Sequence, residues 1–495
     1  MSARAIMRSR HRLNINVMEL VRIIGFLILV EAVFMLVPFF YSLITDKAEV
    51  SAFAISIAAN VAVGLSIVLT VKPRVKELGK RDGMLLTALV WVIFSLFGML
   101  PFMLSDMRLN IAEAFFESMS GFTTTGVSVI EDIADVPRGV NLWRCIMQWL
   151  GGVGIIIFTV ALLPMLNSSG GMQMFNAEAT GITHDKIRPR VSQTAKRLWA
   201  IYGVLTLTLG IILWIGPLPM YESVCQSLST VSTGGFFSCS GESAEAWTTM
   251  GVRIPVIIFM FLGGVNFVLI YRASMGQVRR VWNDANFRGY VFVIVAATLF
   301  VIGILLSDGE TDLEKILVEP LFQVVSAITS TGYSVDSVYT WGKVLAPVLM
   351  ILMLMGACAG STSGGIKIDR VIFMVKSAHN EVKKIIHPNR YYPLTVNGMV
   401  KPPELVLKVA GFFVFYVAIL VVGGLVVSII GMSIDDAYFA VVACLGNAGL
   451  GFGETASSYA PVPDAGKLVL SFIMLVGRLE LFTVLILFTR SFWRR

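Results

Sequence analysis

Long apolar segments follow one another along the whole chain, and short polar stretches separate them. A membrane-spanning helix needs about 20 predominantly apolar residues, and ten segments of the chain approach or exceed that length. They cover residues 23–44, 51–71, 83–105, 143–166, 197–217, 252–272, 288–307, 344–366, 403–430 and 466–489. This pattern predicts an all-α integral membrane protein with ten spans.

Four shorter apolar stretches lie between the third and fourth spans and then in every second gap. They cover residues 110–121, 221–231, 316–328 and 434–445, and each is too short to cross a bilayer. Irregular backbone at membrane depth is tolerated only where protein buries it or where it lines water. We therefore interpret each stretch as a re-entrant pore helix. Two leading helices then precede four units of helix, pore helix, loop and helix around a pseudo-fourfold axis.

Each short stretch leads into a loop of small and hydroxyl residues that ends in glycine. The four loops, residues 120–126, 229–235, 326–332 and 443–449, recur about once per 100 residues, and such a period indicates internal repeats. Glycine permits backbone conformations that aim carbonyl oxygens inward, and rings of such oxygens replace the water around a potassium ion. The loops therefore predict a potassium-conducting pore. Close helix packing through small residues is the alternative interpretation.

Composition agrees with a membrane protein that has no separate soluble domain. Hydrophobic residues make up 56% and charged residues 14% of the chain, against about 25% charged residues in soluble domains. The spacing of the five cysteines indicates neither a metal site nor a disulfide framework. The four histidines fall in the N-terminal arm or in predicted loops, and no pair of nucleophile and base is evident. Nothing in the sequence indicates an enzyme.

Basic residues indicate the orientation, because cytoplasmic loops carry an excess of lysine and arginine. Six segments hold 29 of the 39 basic residues, namely the N-terminal arm through Arg22, residues 72–82, 183–198, 272–288 and 367–402, and the tail from Arg490. The loops on the other side are mainly acidic. We therefore expect both termini in the cytoplasm and the four glycine-rich loops on the outer side. This orientation explains the net charge of +7 without nucleic acid as a partner.

The whole chain resembles the Trk/Ktr/HKT superfamily of potassium transporters, and within it the bacterial Trk membrane subunit. The two leading helices favour the Trk type, because the Ktr type usually lacks them. Further motif matches are residues 148–154, 356–367 and 477–482. The resemblance implies a bacterial inner-membrane protein, potassium as substrate without a covalent cofactor, a homodimer, and a TrkA-type nucleotide-binding regulatory subunit. That cytoplasmic subunit would dock on basic loops such as 367–402, for which an ordinary cytoplasmic loop is the alternative.

The resemblance also implies which residues form the selectivity filter. The central glycines are Gly126, Gly235, Gly332 and Gly449, and they favour potassium because sodium-preferring members tend to carry serine in the first loop. The second loop differs slightly, with Gly234 where the other loops have threonine or alanine. The predicted filter comprises Thr124, Thr125, Gly126, Val127, Thr233, Gly234, Gly235, Phe236, Ser330, Thr331, Gly332, Tyr333, Asn447, Ala448, Gly449 and Leu450.

Residues 356–367 interrupt the eighth predicted span with four glycines and three hydroxyl residues. Each glycine costs a helix about 1 kcal/mol relative to alanine, so we expect this part of the span to unwind. The resemblance implies an intramembrane gating loop beneath the filter. Helix packing is one alternative, and a phosphate-binding loop is another, although the glycine-lysine spacing misses that motif by one residue. The predicted gating residues are Gly356, Gly360, Ser361, Thr362, Ser363, Gly364, Gly365, Lys367 and Arg478.

Arg478 lies near the middle of the last predicted span, where a charge costs about 2.5–3.5 kcal/mol. Apart from Glu31 and Glu480, it is the only clear charge in the middle of a predicted span. We expect it to face the pore, where the resemblance implies that it repels cations or holds the gating loop through its carbonyls. A structural salt bridge is the alternative. Glu480 is expected to point to another face of the helix.

The predicted organisation begins with the N-terminal arm and two leading helices in residues 1–82. Four pore units follow in residues 83–183, 184–286, 287–402 and 403–495. The predicted function is potassium uptake through a gated, selective pore. A symporter that couples potassium to protons or sodium is the alternative. Secondary transporters usually show inverted repeats and ionisable residues at the midplane, whereas these units repeat in one orientation.

Overall fold

The computed structural model describes residues 15–45, 47–72, 80–162, 191–335 and 345–493. Two leading helices, Val17–Thr45 and Val50–Thr70, pack closely against each other. A Cβ atom on Gly64 would lie 2.9 Å from the backbone oxygen of Gly25. Small residues at such a crossing allow two membrane helices to approach closely.

Four units of one design follow the leading helices. The first contains helices Lys80–Gly98, Leu100–Leu104 and Ile111–Phe122, a 3₁₀ turn Ile133–Asp135, and helix Arg138–Leu162. The second contains Val191–Ile215, Met220–Val231, Glu242–Trp247, Met250–Gly264, Phe267–Ser274 and Val278–Trp282. The third contains Ala285–Ser307, Leu313–Ile328, Leu345–Met355 and Ile368–Ile386, then an antiparallel hairpin of Thr395–Val396 and Met399–Val400. The fourth contains Pro403–Ile430, Ile434–Leu445, Gly453–Thr455, Asp464–Arg478, Phe482–Leu485, Ile486–Phe488 and Arg490–Trp493.

The four pore helices lie where the short apolar stretches predicted them, and local capping explains where most of them begin. Asn110 accepts a hydrogen bond from Glu113 N at 2.9 Å, and Glu113 accepts one from Asn110 N at 3.1 Å. This reciprocal capping box satisfies two backbone donors at the start of the first pore helix. Asp312 and Ser433 cap the third and fourth pore helices through their side chains.

Protein surrounds the pore helices, whereas the outer helices expose apolar side chains. Phe116, Phe122 and Phe322 of the pore helices are fully buried. Phe292 and Val414, on the outer helices of the third and fourth units, are 72% and 67% exposed. In the described residues, six helices are long and apolar enough to cross a membrane, or eight if two bent pairs each count as one span. The predicted all-α, multi-pass membrane fold with two leading helices and four repeats is confirmed.

Two predicted spans bend by more than 100°, which the apolar pattern did not predict. The segment 252–272 bends by 109° after Gly264, and the segment 466–489 bends by 110° after Arg478. Asn266 starts a new helix at the first bend, because its side chain accepts from Val268 N at 2.8 Å. At the second bend Glu480 and Leu481 have positive φ angles of 55° and 52°. Hydropathy does not distinguish such breaks from a straight span.

Several predicted features lie outside the described residues. They are the N-terminal arm through residue 14, most of the basic loop 72–82, the first part of the loop 183–198, the end of the span 143–166 and the unit boundary at 183–184.

Candidate ion pathway

The four glycine-rich loops share one backbone conformation. The second residue before each central glycine has φ between 49° and 53°, and each central glycine has φ between 72° and 89°. Those residues are Thr124, Thr233, Ser330 and Asn447, followed by Gly126, Gly235, Gly332 and Gly449. Positive φ alternates with negative φ along these segments, and such alternation turns successive peptide groups in the same direction. Each loop therefore presents a row of like-oriented backbone groups.

An equivalent hydrogen bond connects each loop to the end of its own pore helix. The backbone N–H one residue before the central glycine donates to a carbonyl in the last turn of the helix. The four bonds run from Thr125 to Ser120, Gly234 to Ser229, Thr331 to Ser326 and Ala448 to Ala443, with lengths of 2.8–2.9 Å. They satisfy carbonyls that the end of a helix otherwise leaves without partners.

The loops form a closed ring in chain order. A Cβ atom on each central glycine would lie 2.5 Å or less from a carbonyl oxygen of the following loop, and the fourth loop contacts the first. The four contacts join Gly126 to Gly234, Gly235 to Thr331, Gly332 to Ala448 and Gly449 to Thr125. Since these glycines also have positive φ, both the space and the backbone conformation require glycine.

Gly234, the residue that departs from the other loops, faces a glutamine of the first unit. Gln148 donates from Nε2 to Gly234 O at 2.6 Å and accepts from Phe236 N at 3.2 Å and Ser229 Oγ at 2.6 Å. A Cβ atom on Gly234 would lie 2.5 Å from Gln148 Oε1. The glycine therefore makes room for Gln148, which sequence reasoning did not assign to the filter.

The side chains that follow the central glycines point into the protein. Val127, Phe236, Tyr333 and Leu450 are buried, and Tyr333 donates to Gln226 at 2.8 Å. The backbone on this side of the ring borders a cavity of about 500 Å³, whose lining includes all four central glycines. We call this cavity the vestibule. Glu131 and Asp132 line it as well, so acidic side chains lie in the same cavity as the four central glycines.

Residues 356–367 lie against the opposite side of the ring and form the break in the inner helix of the third unit. Gly364 N donates to Ser330 Oγ of the third loop at 2.6 Å. Thr362 accepts from Thr233 Oγ1 of the second loop at 3.2 Å and donates to Gly263 O at 3.1 Å. The segment thus contacts the glycine-rich loops of the second and third units directly.

Other contacts fix the conformation of the same segment. Gly360 O accepts from Phe267 N at 3.0 Å, and Ala359 O accepts from Asn266 Nδ2 at 2.7 Å. Gly356, Gly360, Gly365 and Lys367 have positive φ, and the Lys367 ammonium donates to the Ser363 carbonyl. Ser361 Oγ lies 3.0 Å from Ser363 Oγ. The predicted interruption of this span is present and is held by defined hydrogen bonds.

Arg478 links the first and third units below the ring. It is the last residue of helix Asp464–Arg478 in the fourth unit. Its guanidinium donates to Thr362 O of the third unit at 2.9 Å and to Gly151 O of the first unit at 2.5 Å. Since the glycine contacts place the first and third units opposite each other, a group bonded to both lies near the axis of the ring.

Glu480 has a partner on the third unit. Its carboxylate forms an ion pair with Arg370, near the start of helix Ile368–Ile386, and Arg370 also donates to Ile366 O at 3.0 Å. The Arg370 guanidinium lies 4.3 Å from the centre of the Phe412 ring. Sequence reasoning missed Arg370, because its partner is 110 residues away in the chain.

Comparisons with known proteins agree with this architecture. The family model for TrkH, described as a cation transport protein, matches residues 49–495. The Trk system potassium uptake protein TrkH of Salmonella typhimurium is 36% identical over 96% of this chain and 98% of its own length. TrkG of Escherichia coli, also named a Trk system potassium uptake protein, is 30% identical over 95% of this chain and 97% of its own.

A solved structure extends the likeness to three dimensions. The crystal structure of the potassium transporter TrkH from Vibrio parahaemolyticus matches with a TM-score of 0.87 and 32% identity, covering 97% of this chain and 100% of that one. These relatives are named as transporters and not as enzymes. The chain belongs to the TrkH family of cation transport proteins.

Proposed function

We propose that this protein takes potassium into a bacterial cell through a selective pore that a segment of its own chain closes. The ring of four filter loops carries the proposal. In that ring each central glycine meets a carbonyl of the next loop, so the backbone oxygens of four units surround one axis. A shell of carbonyl oxygens replaces the hydration shell of potassium without any charged side chain.

The proposed potassium-binding residues are those of the four predicted filter segments, and they bind through backbone oxygens. Their side chains support the ring from behind, as the buried Tyr333 and Phe236 do. An inside-negative membrane potential supplies about 2.3 kcal/mol per charge per 100 mV. That energy drives potassium inward through a passive pore without ATP hydrolysis at this subunit.

Residues 356–367 form the gate, and Arg478 helps to close it. The segment lies directly below the second and third loops, to which Thr362 and Gly364 are hydrogen-bonded. Arg478 joins it to the first unit across the axis. A guanidinium at that position blocks the path sterically and repels a cation, while its hydrogen bonds hold the loop closed.

A cytoplasmic nucleotide-binding partner controls this gate from the inner side of the membrane. Helix Ile368–Ile386 continues directly from the gating segment and carries Lys376, Lys383 and Lys384. Excess basic charge places such segments in the cytoplasm, together with both termini. A partner that moves this helix pulls on residues 356–367. We further propose that two copies of the chain form a homodimer in the inner membrane.

Flux into proteoliposomes tests the proposed function. With an inside-negative potential and no pH or sodium gradient, we expect rubidium, as a potassium tracer, to accumulate to the level set by that potential. Sodium should compete weakly. Uptake that requires a proton or sodium gradient would contradict a passive pore, and equal uptake of sodium and rubidium would contradict the assignment of the filter.

Glu31 favours proton coupling as a second candidate function. Its side chain is fully buried in the first leading helix, and neither carboxylate oxygen has a hydrogen-bond partner among the described residues. A carboxyl group in that position is able to carry a proton within the membrane. If protons are coupled, a pH gradient alone drives rubidium uptake in the parent and not in Glu31→Gln. If the pore is passive, the gradient drives no uptake in either protein.

A further inference from the structure

A buried ion pair lies directly behind the first filter loop. Glu117 of the first pore helix and Arg144 of the following inner helix are 0% and 2% exposed. Arg144 Nε lies 2.8 Å from Glu117 Oε1. Burying two charges costs free energy unless the pair has good geometry and further hydrogen bonds satisfy both side chains. The residues that form those further hydrogen bonds are therefore the ones that the pair holds in place.

Glu117 binds the part of the first loop that leaves the filter. Its Oε2 accepts from Val129 N at 3.0 Å, and its two oxygens lie 3.0 and 3.1 Å from the donating Ser128 hydroxyl. Ser128 and Val129 are the second and third residues after the central glycine Gly126. A single carboxylate therefore fixes the backbone immediately beyond the first ring position.

Arg144 extends the same network to the second loop. Its Nη2 donates to Ser128 Oγ at 3.0 Å, and its Nη1 donates to Asn141 Oδ1 at 3.1 Å. The guanidinium carbon lies 4.1 Å from the ring centre of Phe236, the residue after the second central glycine. The face of an aromatic ring attracts a cation that lies over it. Arg144 therefore links two neighbouring loops.

The third unit shows that a pore helix can support its loop without charge. The equivalent positions, three residues before Ser229, Ser326 and Ala443, are Gln226, Gln323 and Ala440. Gln323 accepts from Val335 N at 3.3 Å, and Val335 corresponds to Val129 in the first unit. The hydrogen bond is therefore repeated in the third unit, whereas the carboxylate is present at this position only in the first unit.

We propose that Glu117 and Arg144 are a positioning pair that sets the geometry of the first two filter loops and thereby the preference for potassium. The inference deepens the proposed function and rests on it. Neither residue touches the ion. The pair acts through Ser128, Val129 and Phe236, which fix the carbonyl positions on one side of the ring. A small displacement of these carbonyls favours an ion of a different radius.

Three variants test the pair in bilayers and proteoliposomes. Glu117→Asp keeps the charge but is too short to reach both Arg144 and Val129 N. Glu117→Gln copies the second and third units and removes the charge. Combining Glu117→Gln with Arg144→Met removes both charges, so that no unpaired ion is buried. We expect the potassium-to-sodium permeability ratio to fall about tenfold in each, the loss that removal of one hydrogen bond to a charged group produces.

Glu113→Gln is the matched control, because Glu113 lies one turn earlier on the same helix and pairs with Lys467 at 3.1 Å. Glutamine keeps its capping box, and we expect parental selectivity. Parental ratios in folded Glu117→Asp and in the folded double variant overturn the proposal, as does an equal loss in Glu113→Gln. If none of the three pair variants folds, the pair serves stability alone, and this result also overturns the proposal. A parent that does not discriminate between the ions instead refutes the proposed function.

Discussion

Around the filter ring the four units have the same backbone conformation, whereas below it each inner helix is interrupted in its own way. The central glycines share φ values within 17° of one another, from 72° to 89°. In the inner helices, the first unit has a non-helical residue at Gly154 and the second bends by 109° after Gly264. The third unwinds over residues 356–367, and the fourth bends by 110° after Arg478.

This difference follows from the two tasks that we propose for the two regions. Selection by a carbonyl shell depends on all four units at once, because each contributes oxygens to the same ion. Closing the path needs only one obstruction, so a single unit can supply the loop and another the arginine. The ring therefore has one conformation in all four units, while the inner helices differ from one another.

A change in the ring should have the largest effect. Gly126→Ser places a side chain against Gly234 O at a residue whose φ is +85°. Such backbone strain costs about 1–3 kcal/mol, which corresponds to a factor of roughly 5 to 150. We expect the potassium-to-sodium permeability ratio in bilayer recordings to fall by that factor. An unchanged ratio would show that Gly126 is not in the filter, and Gly303→Ser, at a glycine with open space around it, provides the control.

Shortening the interruption in the third unit should have the next largest effect. Deleting Ser361–Ser363 removes the contacts of Thr362 with Thr233 and Arg478. We expect rubidium uptake to rise about tenfold, the equivalent of one or two lost hydrogen bonds that hold the closed state. Uptake should also become independent of any regulatory subunit. A folded deletion variant with parental uptake would show that the segment packs helices and does not close the pore.

The repeated features could be predicted from the sequence because they combine length with local composition. A short apolar stretch before a glycine-rich loop located all four pore helices, and glycine content located the break at 356–367. The bends after Gly264 and Arg478 were missed, because their flanking segments are as apolar as straight spans. The roles of Gln148 and Arg370 depend on packing between units. No local pattern carries that information, although Gln148 does lie in a recognised motif.

Removing Arg478 should have an intermediate effect, and it should change uptake without changing selectivity. Two unit charges 4 Å apart interact by about 4 kcal/mol at an effective dielectric constant of 20. The carbonyls of Thr362 and Gly151 offset part of the arginine charge, so we expect Arg478→Ala to raise uptake about fivefold. Selectivity should stay parental, since the ring itself is unchanged.

Parallel thermal melts distinguish this role from a structural one. If Arg478 stabilises the fold through a buried ion pair, its loss costs about 3–5 kcal/mol, and the variant loses both stability and uptake. Arg478→Lys is the matched variant, because it keeps the charge but cannot bond to two opposite units at once. We expect Arg478→Lys to remain less conductive than Arg478→Ala.

The smallest effect should come from one of the contacts that join the two regions. Ser330 Oγ accepts the Gly364 N–H at 2.6 Å, so the third filter loop and the gating segment share one buried hydrogen bond. Ser330→Ala removes the acceptor, together with the bond that Ser330 Oγ donates to Thr329 O at 2.7 Å within its own loop. A hydrogen bond of this kind contributes about 0.5–1.5 kcal/mol, and we expect open probability to rise about threefold without a change in the permeability ratio.

The matched control for this contact is Ser334→Ala, four residues further along the same loop, where the hydroxyl donates to Val335 O at 3.3 Å on the vestibule side. That change should leave open probability at the parental value. If Ser330→Ala lowers selectivity as strongly as it raises open probability, the two regions are coupled and the gate acts through the filter. If selectivity stays parental, the ring discriminates between ions independently of the segment that closes the path below it.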